Sequence, residues 1–128
     1  MPITGFNHYN LRADRSTLDV LRDFYVNIVG LREGYRPPFK SFGYWLYAGT
    51  KDVLHLTEAR PDESRPSHTV NTFDHVAFSC ADVEDMTLHL IEAKVAYTRE
   101  YVPLTGQVQI FFSDPVGNGV ELNFVEGE

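Results

Sequence analysis

"YWLYAGTKDVLHLTE" (residues 44–58) and "IFFSDPVGNGVELNF" (110–124) align with each other without a gap. Each reads as a strand, a short polar turn and a second strand, with turn-forming residues interrupting two runs of apolar alternation. The pairing sets His55 opposite Glu121. Working outward from this hairpin, "FNHYNLRA" (6–13) and "FDHVAFSC" (73–80) are also strand candidates, each with a central histidine, His8 and His75. The chain therefore repeats itself.

Between these anchors, "STLDVLRDFYVNIVG" (16–30) and "DVEDMTLHLIEAKVA" (82–96) carry apolar residues at helical spacing. Leu18, Leu21, Phe24, Tyr25 and Ile28 form one stripe, and Val83, Met86, Leu90 and Ile91 the other. Ser16 and Asp82 stand where N-caps belong. Each half thus reads β-α-β-β-β, with further strands expected at 34–40 and 97–103. The fold class expected is α+β, a single domain of two βαβββ modules in tandem. Module 1 is expected over residues 1–59 and module 2 over 71–128, joined by a Pro- and charge-rich linker over 60–70. His68 falls in that linker and His89 lies off the apolar stripe of its helix, so both read as surface residues.

The 128 residues suit one domain, and 43% apolar with 23% charged residues is the balance of a folded chain. A net charge of −7 opposes a general phosphate-binding surface, so nucleic acid is not an expected partner. No run approaches a membrane span, and the N-terminus lacks a basic-then-apolar leader pattern. A single cysteine forbids an intrachain disulfide. Cytoplasmic location is the expectation. Cys80 shares a strand face with Val76 and Phe78 and reads as a small buried hydrophobe, since apolar surroundings raise a thiol's pKa.

Alternation along the four anchor strands separates two faces. One carries Tyr9, Leu11, Leu54, Leu56, Val76, Phe78, Val120, Leu122 and Phe124, and should lie under the helices. The other carries His8, Asn10, His55, Thr57, His75, Ser79, Glu121 and Asn123. A lone strand histidine is ordinarily structural. Four ligand-type residues at repeat-equivalent positions and in one phase suit a borderline divalent cation: iron, manganese, cobalt, nickel or zinc. The absence of thiolate argues against a structural zinc site. The competing reading is a polar pocket of hydrogen-bonded histidines around Glu121. Six aromatic or apolar residues, Tyr44, Trp45, Leu46, Tyr47, Phe111 and Phe112, lie on the adjoining strands, and about half should face the polar side by alternation. Asn10, Tyr44, Tyr47, Phe112 and Asn123 are the expected substrate-lining residues.

The segments "NHYNL" (7–11), "FYVNIVGLRE" (24–33), "DHVAFSC" (74–80) and "SDPVGNGVELNF" (113–124) resemble the vicinal oxygen chelate superfamily. That superfamily includes glyoxalase I, methylmalonyl-CoA epimerase, fosfomycin-modifying enzymes, extradiol dioxygenases and bleomycin-resistance proteins. The resemblance implies paired βαβββ modules whose sheets curl into a metal-binding cup. It implies one divalent ion per chain on His8, His55, His75 and Glu121, and a homodimer. The position of His55 is the variable one, a glutamate in glyoxalase I and a glutamine in the epimerases.

Such an ion polarises two neighbouring oxygens of a small-molecule substrate, with Glu121 and His55 as the catalytic candidates. The function implied is a metal-dependent enzyme, a glyoxalase-type lyase or isomerase or a dioxygenase. The alternative is a metal-free protein that sequesters a small molecule, as bleomycin-resistance proteins do. Those proteins tend to lose the ligand residues, and here all four positions are filled.

Overall fold

A computed structural model describes residues 1–124. Residues 125–128, the end of the expected second module, lie outside the described residues. The chain divides into two compact units, Met1–Pro66 and a second beginning at Ser67. The expected linker is shared between them. Glu63 ties residues 60–65 to Arg12 of the first unit, 2.8 Å away, whereas the His68 backbone N–H donates to the Val116 carbonyl of the second.

The first unit runs β1 (Tyr9–Ala13), α1 (Arg15–Phe24), β2 (Arg32–Gly34), β3 (Gly43–Ala48) and β4 (Lys51–Glu58). Its sheet order is β1-β4-β3-β2, with β1 and β4 parallel and the other pairs antiparallel. The second unit repeats the plan with β5 (His75–Cys80), α2 (Val83–Glu92), β6 (Thr98–Tyr101), β7 (Val108–Ser113) and β8 (Gly119–Phe124). Its order is β5-β8-β7-β6. Of the weakly signalled strands, β6 is shorter than the expected 97–103, and β2 lies ahead of the expected 34–40, meeting it only at Gly34. In β2, pairing stops at Gly34, ahead of Pro37 and Pro38, which have no N–H to give a ladder.

The N-cap position of helix α1 is held by Asp14 rather than Ser16, whose hydroxyl instead donates to the Asp14 carboxylate from the first turn. Leu18 and Leu21 point into the core, and a π-helical turn over Tyr25–Val29 continues the helix. The wider turn keeps both Tyr25 and Val29 buried. Gly30 ends it at φ +101°, a left-handed conformation that a side chain would strain. In α2, Asp82 caps as expected, accepting from the Asp85 N–H at 3.1 Å. That helix ends at Glu92, short of the expected 96. Lys94 turns left-handed, and the Val95 N–H returns to the Leu90 carbonyl in a Schellman closure. Ile91 faces outward at 58% exposure, so the apolar stripe there is narrower than its spacing suggested.

The two sheet faces follow the alternation. Leu46, Leu54 and Leu56 with Leu18, Leu21 and Tyr25 form the first core, and Ile110, Phe112, Val120, Leu122 and Phe124 with Leu90 the second. Each buried side chain of this size contributes roughly 1.5–3 kcal/mol on transfer from water. The opposite faces carry the polar residues.

Candidate metal centre

In the second unit, β5 and β8 run parallel with His75 beside Gly119 and Ala77 beside Glu121. A Cβ at Gly119 would lie 2.3 Å from the Asp74 carbonyl oxygen and 2.9 Å from the His75 Cβ, so only glycine lets the strands approach here. His75 Nε2 comes within 3.0 Å of Glu121 Oε1. The other carboxylate oxygen of Glu121 accepts from Gln109 Nε2 at 3.1 Å and from Asn123 Nδ2 at 2.9 Å. Asn123 in turn accepts from Gln107. Glu121 is buried and held on one side by amides, which leaves Oε1 directed at the imidazole. The Phe111 ring meets His75 edge-on at 5.8 Å.

The hairpin before Glu121 is pinned by Asp114. Its carboxylate accepts from the backbone N–H groups of Val116 and Asn118 and from the Asn118 side chain. This Asx-type turn fixes where β8 begins, and so where Glu121 falls.

In the first unit, His55 is the centre of a ring stack. His8 lies over one face, with centroids 3.7 Å apart, and Trp45 over the other at 4.0 Å and nearly parallel. His55 Nε2 is bound by Asp52 Oδ2 at 2.7 Å, and His8 Nδ1 by Asn7 Oδ1 at 2.7 Å. Asn10 lies beside His55 in the β1–β4 register and donates to Thr57 Oγ1. Burial and the nearby His55 hold the His8 pKa below the usual histidine range.

The four residues singled out from the sequence are therefore found as two pairs, His8 with His55 and His75 with Glu121. Within either unit, among the described residues, no three His, Cys, Asp or Glu side chains form a group that could hold a metal ion. The donor chemistry nevertheless fits a divalent ion. Imidazole nitrogens and one buried carboxylate oxygen are first-choice ligands for borderline cations, and Gln109 and Asn123 orient that carboxylate as outer-shell partners do.

Two expected lining residues face the other way. Tyr44 lies on the helix side, its hydroxyl donating to Asp19 of α1 at 2.6 Å, with the Arg22 guanidinium over its ring. Phe112 is buried beside Val120 in the helix-covered core. The aromatic residues on the polar faces are Trp45 and Phe111, one position along from each. Tyr47 follows a bulge in β3, packs its ring across Gly34 and donates to the Tyr35 carbonyl. Asn123 serves as a partner of Glu121.

Sequence reasoning missed Asn7, Asp52, Asp74, Gln107 and Gln109. For Gln109 the available signal was its phase on β7, beside the strand of Glu121, and for Gln107 its place two residues earlier, just ahead of that strand. For Asp52 it was the three-residue spacing from His55.

The Glyoxalase/Bleomycin resistance protein/Dioxygenase superfamily model matches residues 5–122. No curated protein matches the chain. Among solved structures, a glyoxalase family protein from Bacillus anthracis is similar at 20% identity and a TM-score of 0.73, over 98% of both chains. Lactoylglutathione lyase from Agrobacterium tumefaciens is similar at 22% identity and a TM-score of 0.67, over 97% of this chain and 96% of that one. A fosfomycin resistance protein from Listeria monocytogenes, complexed with Mn(II) and sulfate, is similar at 20% identity and 0.69, over 98% and 96%. At these identities the structures establish the fold, and the family match extends over nearly the whole sequence. The chain belongs to the glyoxalase, bleomycin-resistance and dioxygenase superfamily.

Proposed function

We propose that the protein is a divalent-metal-dependent enzyme acting on a small molecule through two vicinal oxygens, as a glyoxalase-type lyase or isomerase or as a dioxygenase. The observation that carries this reading is the buried Glu121 carboxylate. Two amides orient it through one oxygen, and its other oxygen meets the His75 imidazole on the polar face of the sheet. The His8–His55 pair at the repeat-equivalent positions supports it. The Mn(II) complex of the Listeria protein shows that this fold accommodates such an ion in a relative.

His8, His55, His75 and Glu121 are the proposed ligands of one ion per chain: iron, manganese, nickel, cobalt or zinc. When bound, the ion supplies Lewis acidity to the two substrate oxygens. The chain's own contributions are distinct. Glu121 supplies the anionic charge of the ligand set. His55, clamped between Trp45 and His8, keeps one ring nitrogen for Asp52 and the other for exchange of an electron pair or a proton. Trp45 and Phe111 give apolar walls suited to an aromatic or aliphatic substrate body.

A metal-free sequestering protein is the second reading. Trp45 and Phe111, packed against the candidate histidines, would contact a sequestered ligand equally well. Elemental analysis of untagged protein separates the two. We expect one equivalent of metal in the wild type and loss of metal in His75→Ala and Glu121→Gln. Full occupancy in both variants, or none in the wild type, rejects the enzyme reading.

A further inference from the structure

Each of the three candidate histidines has a ring nitrogen taken by an oxygen of a side chain one or three residues earlier, and the choice of nitrogen differs. His75 alone also has its second nitrogen, Nε2, against a carboxylate, Glu121 Oε1 at 3.0 Å. Asn7 Oδ1 binds His8 Nδ1 at 2.7 Å, and Asp74 Oδ2 binds His75 Nδ1 at 2.8 Å. Asp52 Oδ2 binds His55 at the opposite nitrogen, Nε2, at 2.7 Å. A carboxylate or an amide oxygen can only accept, so the ring nitrogen facing it carries the proton. The first two contacts are repeat-equivalent, each made by the residue immediately before the histidine. Neighbouring side chains in a regular strand point to opposite faces. These contacts form because His8 precedes β1 and His75 is the first residue of β5.

We propose that Asn7, Asp52 and Asp74 are positioning residues that assign the ring nitrogens, so that His8 keeps its lone pair at Nε2 and His55 at Nδ1, while His75 is turned to set Nε2 against Glu121. This rests on the metal-centre reading for its purpose, but not for its geometry. A ligating imidazole is ordinarily held at its far nitrogen by an oxygen that fixes tautomer and ring orientation, and removing that oxygen weakens metal binding. His55 is held most firmly of the three. Its ring is sandwiched at 3.7 and 4.0 Å and only 8% exposed, and Asp52 is itself only partly exposed. Its electron pair therefore points from a fixed ring, whichever oxygen or ion it meets. The natural difference between Asn7 and Asp74 also says what the positioning requires: an acceptor oxygen at the preceding residue, charged or not.

Two measurements test this. Long-range proton–nitrogen spectra of metal-free protein labelled at histidine nitrogen read the tautomers directly. We expect a protonated Nδ1 and bare Nε2 for His8 and the reverse for His55, with His55 losing its fixed tautomer in Asp52→Ala. His8 and His55 showing the same tautomer overturns the proposal. Calorimetric titration with Mn(II) reads the consequence. Asn7→Ala and Asp74→Ala should each weaken binding by about 10–100-fold, and Asp74→Asn, which copies the first unit, should restore it to within a few-fold. Both tethers lie at exposed positions, so these variants fold. An alanine variant that binds as the wild type overturns the proposal. A wild type that takes up no Mn(II) overturns the metal-centre reading instead, and the nitrogen spectra still decide the tethers.

Discussion

His75 lies between two carboxylates, with Glu121 Oε1 3.0 Å from Nε2 and Asp74 Oδ2 2.8 Å from Nδ1. The hydrogen bond to Asp74, and then the charge of Glu121, hold the imidazolium above the usual histidine range against the opposing effect of burial. A folded-state pKa above the unfolded 6.5 means that the folded protein binds this proton more tightly. The stabilisation is complete below 6.5 and is lost as pH rises through the folded value. Metal uptake has the opposite dependence, because a cation must replace the Nε2 proton. The melting midpoint of metal-free wild type should therefore fall on going from pH 6 to pH 8 relative to His75→Gln, while Mn(II) affinity rises over the same interval. Parallel melting curves for the two proteins would remove the imidazolium from this pair.

Glu63 is the counterpart at acid pH. Its carboxylate accepts from the Arg60 backbone N–H and from Arg12 and Arg65, which together lower its pKa from 4.5 to about 2. A depressed carboxylate contributes stability above its unfolded pKa and loses it as pH falls through the folded one. The window is pH 4.5 down to about 2. Chemical denaturation across that range should show wild type losing its advantage over Glu63→Gln steadily as acid is added. The two proteins should converge near pH 2. A constant difference would mean that the clasp on residues 60–65 is not ionic.

The fold was legible because β strands and amphipathic helices write their burial into the sequence at periods of 2 and 3.6. Leu54, Leu56, Val120 and Leu122 are buried on the phase that alternation assigns. The candidate site residues stood out for the same reason: His55 and Glu121 break an apolar run at equivalent places. What could not be read was anything set by one residue's displacement. The phase of β7 put Phe111, not Phe112, beside His75, and that of β3 turned Tyr44 toward α1. Both segments carry consecutive aromatic residues, for which apolar alternation has no preferred register. The tethers from Asn7 and Asp74 depend on a local departure from strand geometry, which periodicity does not record.

A homodimer is expected from the surface as well as from the family. Each four-stranded sheet has two edge strands, and exposed edges attract pairing. Ile3, Phe6, Val70, Leu88 and Ile91 are also exposed, and covering apolar side chains favours association. Light scattering at tens of micromolar protein should return twice the 14.6 kDa of one chain. A mass of 14.6 kDa at that concentration would exclude the dimer.

Trp45 is the chain's one tryptophan, so its emission reports a single place. Its indole is stacked on His55 at 4.0 Å and 7° from parallel, and His55 is stacked in turn on His8. Contact at this distance couples the excited indole to whatever His55 binds. Open-shell Co(II) or Ni(II) taken up by that imidazole should quench the emission strongly, whereas Zn(II), with a filled d shell, should change it much less. The quenching midpoint should match the affinity measured by calorimetry, and His55→Ala should abolish the saturable quench. His8→Ala keeps the Trp45–His55 contact while removing a proposed ligand, so it should retain quenching at saturation but require more metal to reach it. If His55 is instead a structural member of the stack, neither ion will quench saturably at stoichiometric concentration. The His8→Ala variant will then differ from wild type only in stability.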